Sequence, residues 1–309
     1  MNAGRLYGGI EAGGTSFVCA VGTGPQDLGE RMVIETAGPY ETLARVLDYL
    51  QLHACALAAV GVASFGPIDL DRGSATFGHI TSTPKPGWRN TDIVGPIRDR
   101  LRLPVGFDTD VNGAALAEWH WGAAHGLDNF AYVTVGSGVG GGAMAGGRLI
   151  HGVMHPEMGH LRVPRFPTDP LDHGTCPFHD DCWEGWISRP AREARWGTAK
   201  QATDLARDEL ELLAYYIGSG LATITYVLSP QRLVLGGGVI LGGGDAEHRE
   251  LVLDLVRHEF AGSLNGYLQA GRLSDQLDTY IVAPALGADA GVLGGIALAR
   301  AIATADSCC

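Results

Sequence analysis

The sequence predicts an α/β protein of two lobes, on three observations. Strand-length apolar runs alternate with helix-length amphipathic ones, a strand–glycine turn–strand unit occurs twice, and 309 residues exceed what one core ordinarily organises. The repeated units are YGGIEAGGTSFVCAV from Tyr7 and YVTVGSGVGGGAMAGGRL from Tyr132. Each is expected to open one lobe.

The elements follow in order. Leu6–Ile10 reads as a short strand, Glu11–Thr15 as a glycine turn and Phe17–Val21 as the return strand. A helix around Tyr40–Leu52 precedes a buried strand at Ala58–Ala63, and Pro67–Asn90 is a long loop. Leu103–Phe107 is a strand and Asn112–Trp121 a helix. Tyr132–Val135 is then a strand, Gly136–Gly142 a glycine turn and Ala143–Ile150 the return strand. The chain is loop-rich from His151 to Trp196. Asp204–Leu228 is helical, Arg232–Leu235 is a strand running into glycines, and Glu247–Phe260 and Asp289–Ile302 are helices. The last is rich in Ala and Gly and suits close packing on a neighbour. The lobe boundary is placed near Glu118. Residues 1–118 form a smaller lobe completed by the C-terminal helix within 289–309, and 119–288 a larger one.

Composition narrows the classes of function. The hydrophobic share is 46% and only 18% of residues are charged, which excludes a disordered chain. The 46 glycines are about twice the usual share of roughly 7% and cluster between apolar runs as turns. A net charge of −12 argues against a nucleic-acid footprint, which needs a basic face. No apolar run reaches membrane-spanning length and no signal-peptide pattern is present, so a soluble, cytoplasmic protein is expected, with no membrane partner. Of six cysteines, Cys19 and Cys55 read as small core residues, and Cys308 and Cys309 end a polar tail. Cys176 and Cys182 alone sit in a setting that asks for chemistry.

Four motifs carry that chemistry. The turn Gly8–Thr15 places glycines where backbone N–H groups can approach phosphate oxygens, although a tight hairpin uses Gly-Gly equally well. The second turn, Thr134–Gly142, contains G-x-G-x-x-G. A hairpin rather than a helix follows it, which excludes the dinucleotide-binding reading. No Gly-Lys-Ser/Thr exists for a Walker loop, so a clamp of two glycine hairpins remains for a polyphosphate. Between the turns, a strand end delivers Asp110 to a helix start, where N–H groups and the macrodipole favour its ionised form. That placement suits a base taking a proton from a hydroxyl, although from spacing alone an N-cap is the commoner use of such a residue. Finally, His160 precedes Cys176-Pro-Phe-His179-Asp-Asp-Cys182, a pattern that fits tetrahedral Cys2His2 zinc. A Cys176–Cys182 disulfide is the alternative, and His151, His155 and His173 are rival ligands.

Taken together, these motifs resemble the ROK family of sugar kinases over nearly the whole chain. The family's Asp-x-Gly-Gly-Thr turn corresponds to Glu11-Ala12-Gly13-Gly14-Thr15, with Glu for Asp. Its Asn-Asp-x-Asn segment corresponds to Thr109-Asp110-Val111-Asn112, with Thr for Asn. Thr134–Gly142 is similar to its second phosphate motif, Glu157-Met158-Gly159-His160 to its Glu-x-Gly-His signature, and Leu235-Gly236-Gly237-Gly238 to its adenosine-side glycines. The usual Cys-x-Cys-Gly-x-x-Gly-Cys cluster is here Cys-x-x-His-x-x-Cys, ending in Cys182-Trp183-Glu184. With Ile80–Trp88 and His155–His160, that variant is similar to bacterial fructokinases of the family.

The resemblance implies a two-lobed hexokinase–actin (ribonuclease H-like) fold with an interlobe cleft. It also implies transfer of the ATP γ-phosphoryl to a hexose, D-fructose giving D-fructose 6-phosphate. Asp110 would be the base, and Thr109, Asp110, Glu157, His160 and Glu184 would contact the sugar. Gly13, Gly14, Thr15, Thr134, Gly136, Ser137, Gly138, Gly236, Gly237 and Gly238 would contact ATP. A structural Zn²⁺ would be held by His160, Cys176, His179 and Cys182, Mg²⁺ would travel with ATP, and the protein would be a homodimer. Glucose, mannose and N-acylmannosamine kinases of the family are the rival enzymes. A sugar-responsive ROK regulator is the rival of another class, and the phosphate strand starting at Leu6 leaves no room ahead of it for a DNA-binding domain.

Overall fold

The structure, a computed structural model, describes residues 6–198 and 200–305, so Cys308 and Cys309 lie outside the described residues. Residues within Met1–His125, Leu149–His155 and Ala288–Cys309 form one compact unit, and Gly126–Arg148 with Pro156–Gly287 form a second.

In the first unit, β1 (Leu6–Ala12) and β2 (Ser16–Gly22) pair antiparallel around the first glycine turn. They are followed by β3 (Met32–Glu35), α1 (Pro39–His53) and β4 (Leu57–Ser64). The short pair β5 (His79–Ile80) and β6 (Thr91–Asp92) precedes α2 (Val94–Leu101), β7 (Val105–Thr109) and α3 (Asp110–Trp121). The sheet order is β3-β2-β1-β4-β7, with β1, β4 and β7 parallel. Near-continuous apolar sequence in β4 reflects cover on both faces. One cover is α1, which buries Leu43, Val46 and Leu50 along one stripe.

The other cover is the C-terminal helix Ala290–Ala305, and it explains three glycines at once. Gly9, Gly61 and Gly106 stand in one cross-strand row on β1, β4 and β7. A Cβ on Gly61 would run into the Gly295 carbonyl oxygen, and one on Gly106 would come within 2.5 Å of that of Leu298. The bare row lets the helix backbone lie directly on the strands. Within the long loop, Trp88 is fully buried against Phe17, and its indole donates to the Ala37 carbonyl at 2.9 Å.

The second unit has β8 (Phe130–Val135), β9 (Val139–Ala145), β10 (Arg148–Leu149), α4 (Trp183–Ile187), α5 (Arg189–Trp196) and α6 (Arg207–Leu228). It continues with β11 (Leu233–Gly236), α7 (Gly238–Leu241), α8 (Ala246–Leu264) and β12 (Ile281–Val282). The sheet order is β10-β9-β8-β11-β12, in which β8 pairs antiparallel with β9 and parallel with β11. Among the described residues, α6 alone is long and apolar enough to cross a membrane, and most of it is buried within its unit.

One sequence expectation is corrected and two are refined. The second glycine turn is shorter than expected, because Gly140, Gly141 and Gly142 already pair in β9 with Thr134, Val133 and Tyr132. A Cβ on Gly141 would collide with the Met158 side chain, so this glycine serves close packing inside the strand. Glu118, near which the lobe boundary is expected, lies inside α3, and the first unit runs on to His125. The loop-rich stretch His151–Trp196 also holds the two short helices α4 and α5.

Candidate active site and metal centre

In the first unit β7 ends on Asp108-Thr109 and passes directly into α3. The capping residue is Thr109, whose Oγ1 accepts the Asn112 N–H at 3.1 Å. Asp110 is therefore the first residue of the helix and not its N-cap, leaving its carboxylate for other work. That carboxylate accepts the Val111 N–H at 2.9 Å. Withdrawal from water nevertheless outweighs the backbone N–H groups and pushes Asp110 up to about 6. The sequence argument, which held that the helix start favours the charge, is thus reversed in sign. A carboxyl near 6 is still mostly ionised at neutral pH and can accept a proton.

Asp108 holds this junction together. It is buried and accepts from Thr109 N–H and Asn112 Nδ2, each at 2.8 Å, and from His151 Nε2 at 2.8 Å. The hydrogen bond to Asp108 raises the His151 pKa above its ordinary value. Asp108 was not singled out in the sequence, since a strand-end Asp carries no local signature, and His151 was named only as a rival metal ligand.

In the first glycine turn, Gly13 N–H donates to Ser16 O at 3.0 Å, so it closes the turn. Gly14 faces open space and Thr15 is exposed. The carboxyl of Glu11 lies against Gly291 in the first turn of the C-terminal helix. Burial and the neighbouring Asp110 charge raise Glu11 to about 7, with Arg31 opposing them.

In the second unit the other two glycine motifs meet. Thr134 of β8 stands opposite Gly236 of β11. Gly237 takes φ 91°, and a Cβ there would strike the Val135 backbone and Thr134 Oγ1. Only glycine fits both the conformation and the approach. Gly136 and exposed Ser137 then border a cavity of about 300 Å³ together with Gly238, Arg189, Arg192 and Trp196. Lys200 also reaches this cavity and pairs with Glu209 at 2.6 Å. The cations and Trp196 were missed in sequence because the stretch reads as loop. Gly138 sits against Glu184, whose Oε2 accepts the Val139 N–H at 3.0 Å. Glu157 is exposed just ahead of the turn Met158–His160.

That turn delivers His160 to the metal quartet. One ligand atom from each of His160, Cys176, His179 and Cys182 lies within 4.8 Å of the others. His160 Nδ1 is 3.9 Å from Cys176 Sγ and 3.6 Å from Cys182 Sγ, and His179 Nδ1 is 3.7 Å from Cys176 Sγ. Both cysteines are free thiols. Burial pushes Cys182 up to about 11, so a bound cation is what would make it a thiolate near neutral pH. Two sulfurs and two imidazole nitrogens at this spacing fit a four-coordinate zinc. The rival histidines are engaged elsewhere or set apart: His151 pairs with Asp108, His155 accepts the Ile68 N–H at 3.1 Å, and His173 is exposed outside the quartet.

Two α/β units, each opening on a strand–glycine turn–strand hairpin, with a carboxylate at a strand-to-helix junction, define the class as the two-lobed hexokinase–actin fold of sugar kinases. Within that class the chain belongs to the ROK family, which it matches over residues 7–302. It is 41% identical to the fructokinase of Zymomonas mobilis subsp. mobilis over 303 residues, covering 96% of this chain and 97% of that one. It is 40% identical to the fructokinase of Streptococcus mutans serotype c, covering 97% and 99%. A ROK family glucokinase from Streptomyces griseus, solved in complex with glucose and AMPPNP, is similar in structure with a TM-score of 0.71 at 25% identity, covering 96% and 99%.

Proposed function

We propose that this protein transfers the γ-phosphoryl group of ATP to D-fructose, giving D-fructose 6-phosphate, with Asp110 as the general base. The observation that carries the choice of sugar is the 40–41% identity to two fructokinases along nearly their full lengths. The choice of base rests on Asp110, a carboxylate freed from capping and held near a pKa of 6.

In this reading Asp110 takes the proton of the attacking hydroxyl as the γ-phosphoryl arrives in line. Thr109, Glu157, His160 and Glu184 contact the sugar. Backbone N–H groups of the turns at Gly13–Thr15 and Thr134–Gly138 face the phosphates, and Gly236–Gly238 faces the nucleoside. The 300 Å³ cavity supports a nucleotide site, since Arg189 and Arg192 suit phosphate oxygens and Trp196 suits a base. Magnesium, arriving with ATP, would supply neutralisation of the phosphate charge. His160, Cys176, His179 and Cys182 hold a structural zinc. His160 Nδ1 faces the sulfurs, which leaves Nε2 for the sugar. A reducing cytoplasm suits two free thiols, and the family supports a homodimer.

A second reading, glucose as the acceptor, is favoured by the likeness to the Streptomyces griseus glucokinase. A coupled assay with ATP and Mg²⁺ across fructose, mannose, glucose and N-acetylmannosamine decides between them. Fructose is expected to give the highest kcat/KM. A preference for glucose or N-acetylmannosamine would overturn the acceptor while leaving a kinase, and no turnover with any sugar would overturn the kinase.

A further inference from the structure

The short helix α5 forms one wall of the nucleotide cavity, and its sequence RPAREARW divides cleanly by face. Arg189, Arg192, Glu193 and Trp196 stand at i, i+3, i+4 and i+7, and all four line the cavity. Of the four residues off that face, Pro190 and Ala194 are exposed, and only Ala191 and Arg195 have side chains buried in the unit. Ala191 is the sole buried apolar residue of the helix. One alanine removes too little apolar area to fix an eight-residue helix in rotation.

Arg195 supplies what the alanine does not. Its side chain is fully buried, and its guanidinium meets the equally buried Asp169 through two bonds, Nε to Oδ1 at 2.8 Å and Nη2 to Oδ2 at 2.5 Å. Its Nη1 donates to the Trp186 carbonyl at 2.6 Å. Asp169 is held in turn by the Tyr216 hydroxyl of α6 at 2.6 Å and the Leu171 N–H at 2.9 Å. Tyr216 stacks on Trp186 at 5.4 Å, so every member of the network is fixed by another. At the far end of the helix, Arg189 N–H donates to Ser137 O at 3.1 Å and Arg192 donates to Gly136 O at 2.9 Å. The helix is therefore suspended between the second phosphate turn and one buried ion pair.

A buried ion pair adds little net stability over well-packed apolar residues of similar size, because both charges lose their water. A bidentate guanidinium–carboxylate fork does fix direction. We propose that Arg195 and Asp169 are positioning residues for nucleotide binding: they touch no substrate, but their pairing sets the rotation of α5 and so the placement of Arg189, Arg192 and Trp196. The inference rests on the cavity being the nucleotide site.

The test compares steady-state kinetics and binding of fluorescent ATP analogue for Arg195→Lys, which keeps the charge and loses the fork, and for the apolar pair Arg195→Met/Asp169→Leu. Both are read beside the direct cavity variants Arg192→Ala and Trp196→Ala. Expected for the apolar pair is a KM for ATP raised tenfold or more, with the KM for hexose within about twofold of wild type. Arg195→Lys is expected to raise the ATP KM about threefold or more with the same split, and it decides the matter should the apolar pair not fold. An unchanged ATP KM in a folded Arg195 variant, or equal rises for both substrates, overturns the proposal. If Arg192→Ala and Trp196→Ala also leave ATP binding unchanged, the nucleotide reading of the cavity has failed, and the positioning proposal with it.

Discussion

Glu184 Oε2 accepts the Val139 N–H at 3.0 Å, which ties the residue two places after Cys182 to the exit of the second glycine turn. Gly138 makes this possible, since a Cβ there would strike the same carboxylate at 2.6 Å. The Cys/His loop and the second glycine turn are therefore one construction, joined through a side chain that the sequence marked only for the sugar.

The first prediction tests this link. Glu184→Ala leaves the Val139 N–H without its acceptor and should cost about 1.5–3 kcal/mol of stability, the range for losing a hydrogen bond to a charged group. It should also raise the KM for ATP. Glu184→Gln keeps an acceptor oxygen and should recover most of the stability in thermal denaturation. Equal destabilisation by both would mean that charge, not the hydrogen bond, matters.

The second concerns catalysis and its pH dependence. Asp110→Asn should fold and bind ATP but turn over at least ~10²-fold more slowly. Asp110 is held at about 6, so the base is protonated below that value and free above it. Wild-type kcat/KM should accordingly rise through about pH 6 to a plateau above it. A flat profile from pH 5 to 8, or near wild-type turnover in the variant, would remove Asp110 from the role.

How much of this was legible in sequence depends on how local each constraint is. Glycine turns declared themselves because only backbone demands explain them, and Cys176, His179 and Cys182 lie within seven residues of chain. Choosing His160 over His151, His155 and His173 required the fold, because what excludes His151 and His155 is Asp108 and the Ile68 N–H. The row Gly9, Gly61 and Gly106 was invisible, since it exists only once three strands are in register. Helix α5 was hidden by its own function: a cavity-facing stripe of charge with one buried alanine carries no apolar periodicity.

A third prediction follows from two carboxyls kept above their ordinary range. Glu11 is raised to about 7 and Asp110 to about 6, in both cases chiefly by burial. A group with a raised folded pKa binds its proton more tightly when folded, so its contribution is full at about pH 4 and is lost as pH rises through 6 to 7. At pH 8 both groups therefore oppose folding. Glu11→Gln and Asp110→Asn should each raise Tm at pH 8 by a few °C and by less at pH 5. A Tm gain independent of pH would refute the electrostatic cause.

The fourth concerns the metal. Elemental analysis should find about one zinc per chain, and chelation or Cys176→Ser should lower Tm by several °C, because the quartet is otherwise two neutral thiols and two imidazoles with no cation to join them. Thiol titration of the metal-free chain, unfolded in denaturant to expose both buried cysteines, should recover Cys176 and Cys182 as free sulfhydryls. Mass spectrometry showing a Cys176–Cys182 disulfide, with no metal bound, would end the claim.

The fifth concerns the acceptor sugar and rests on Thr109. Its hydroxyl is buried and already accepts the Asn112 N–H, so what it has left to offer a sugar is the hydroxyl proton and one lone pair. Asparagine caps helices as well as threonine does, so Thr109→Asn should keep the start of α3 and leave Asp110 in place. What changes is the donor beside the base, from one hydroxyl to an amide that reaches further and carries two N–H bonds. A site that loses or gains one buried hydrogen bond to a sugar hydroxyl discriminates strongly between isomers. The ratio of kcat/KM for fructose over glucose should therefore fall at least fivefold in Thr109→Asn, with thermal stability close to wild type. If both sugars lose activity in proportion, Thr109 positions α3 alone and the choice of hexose is made by other residues.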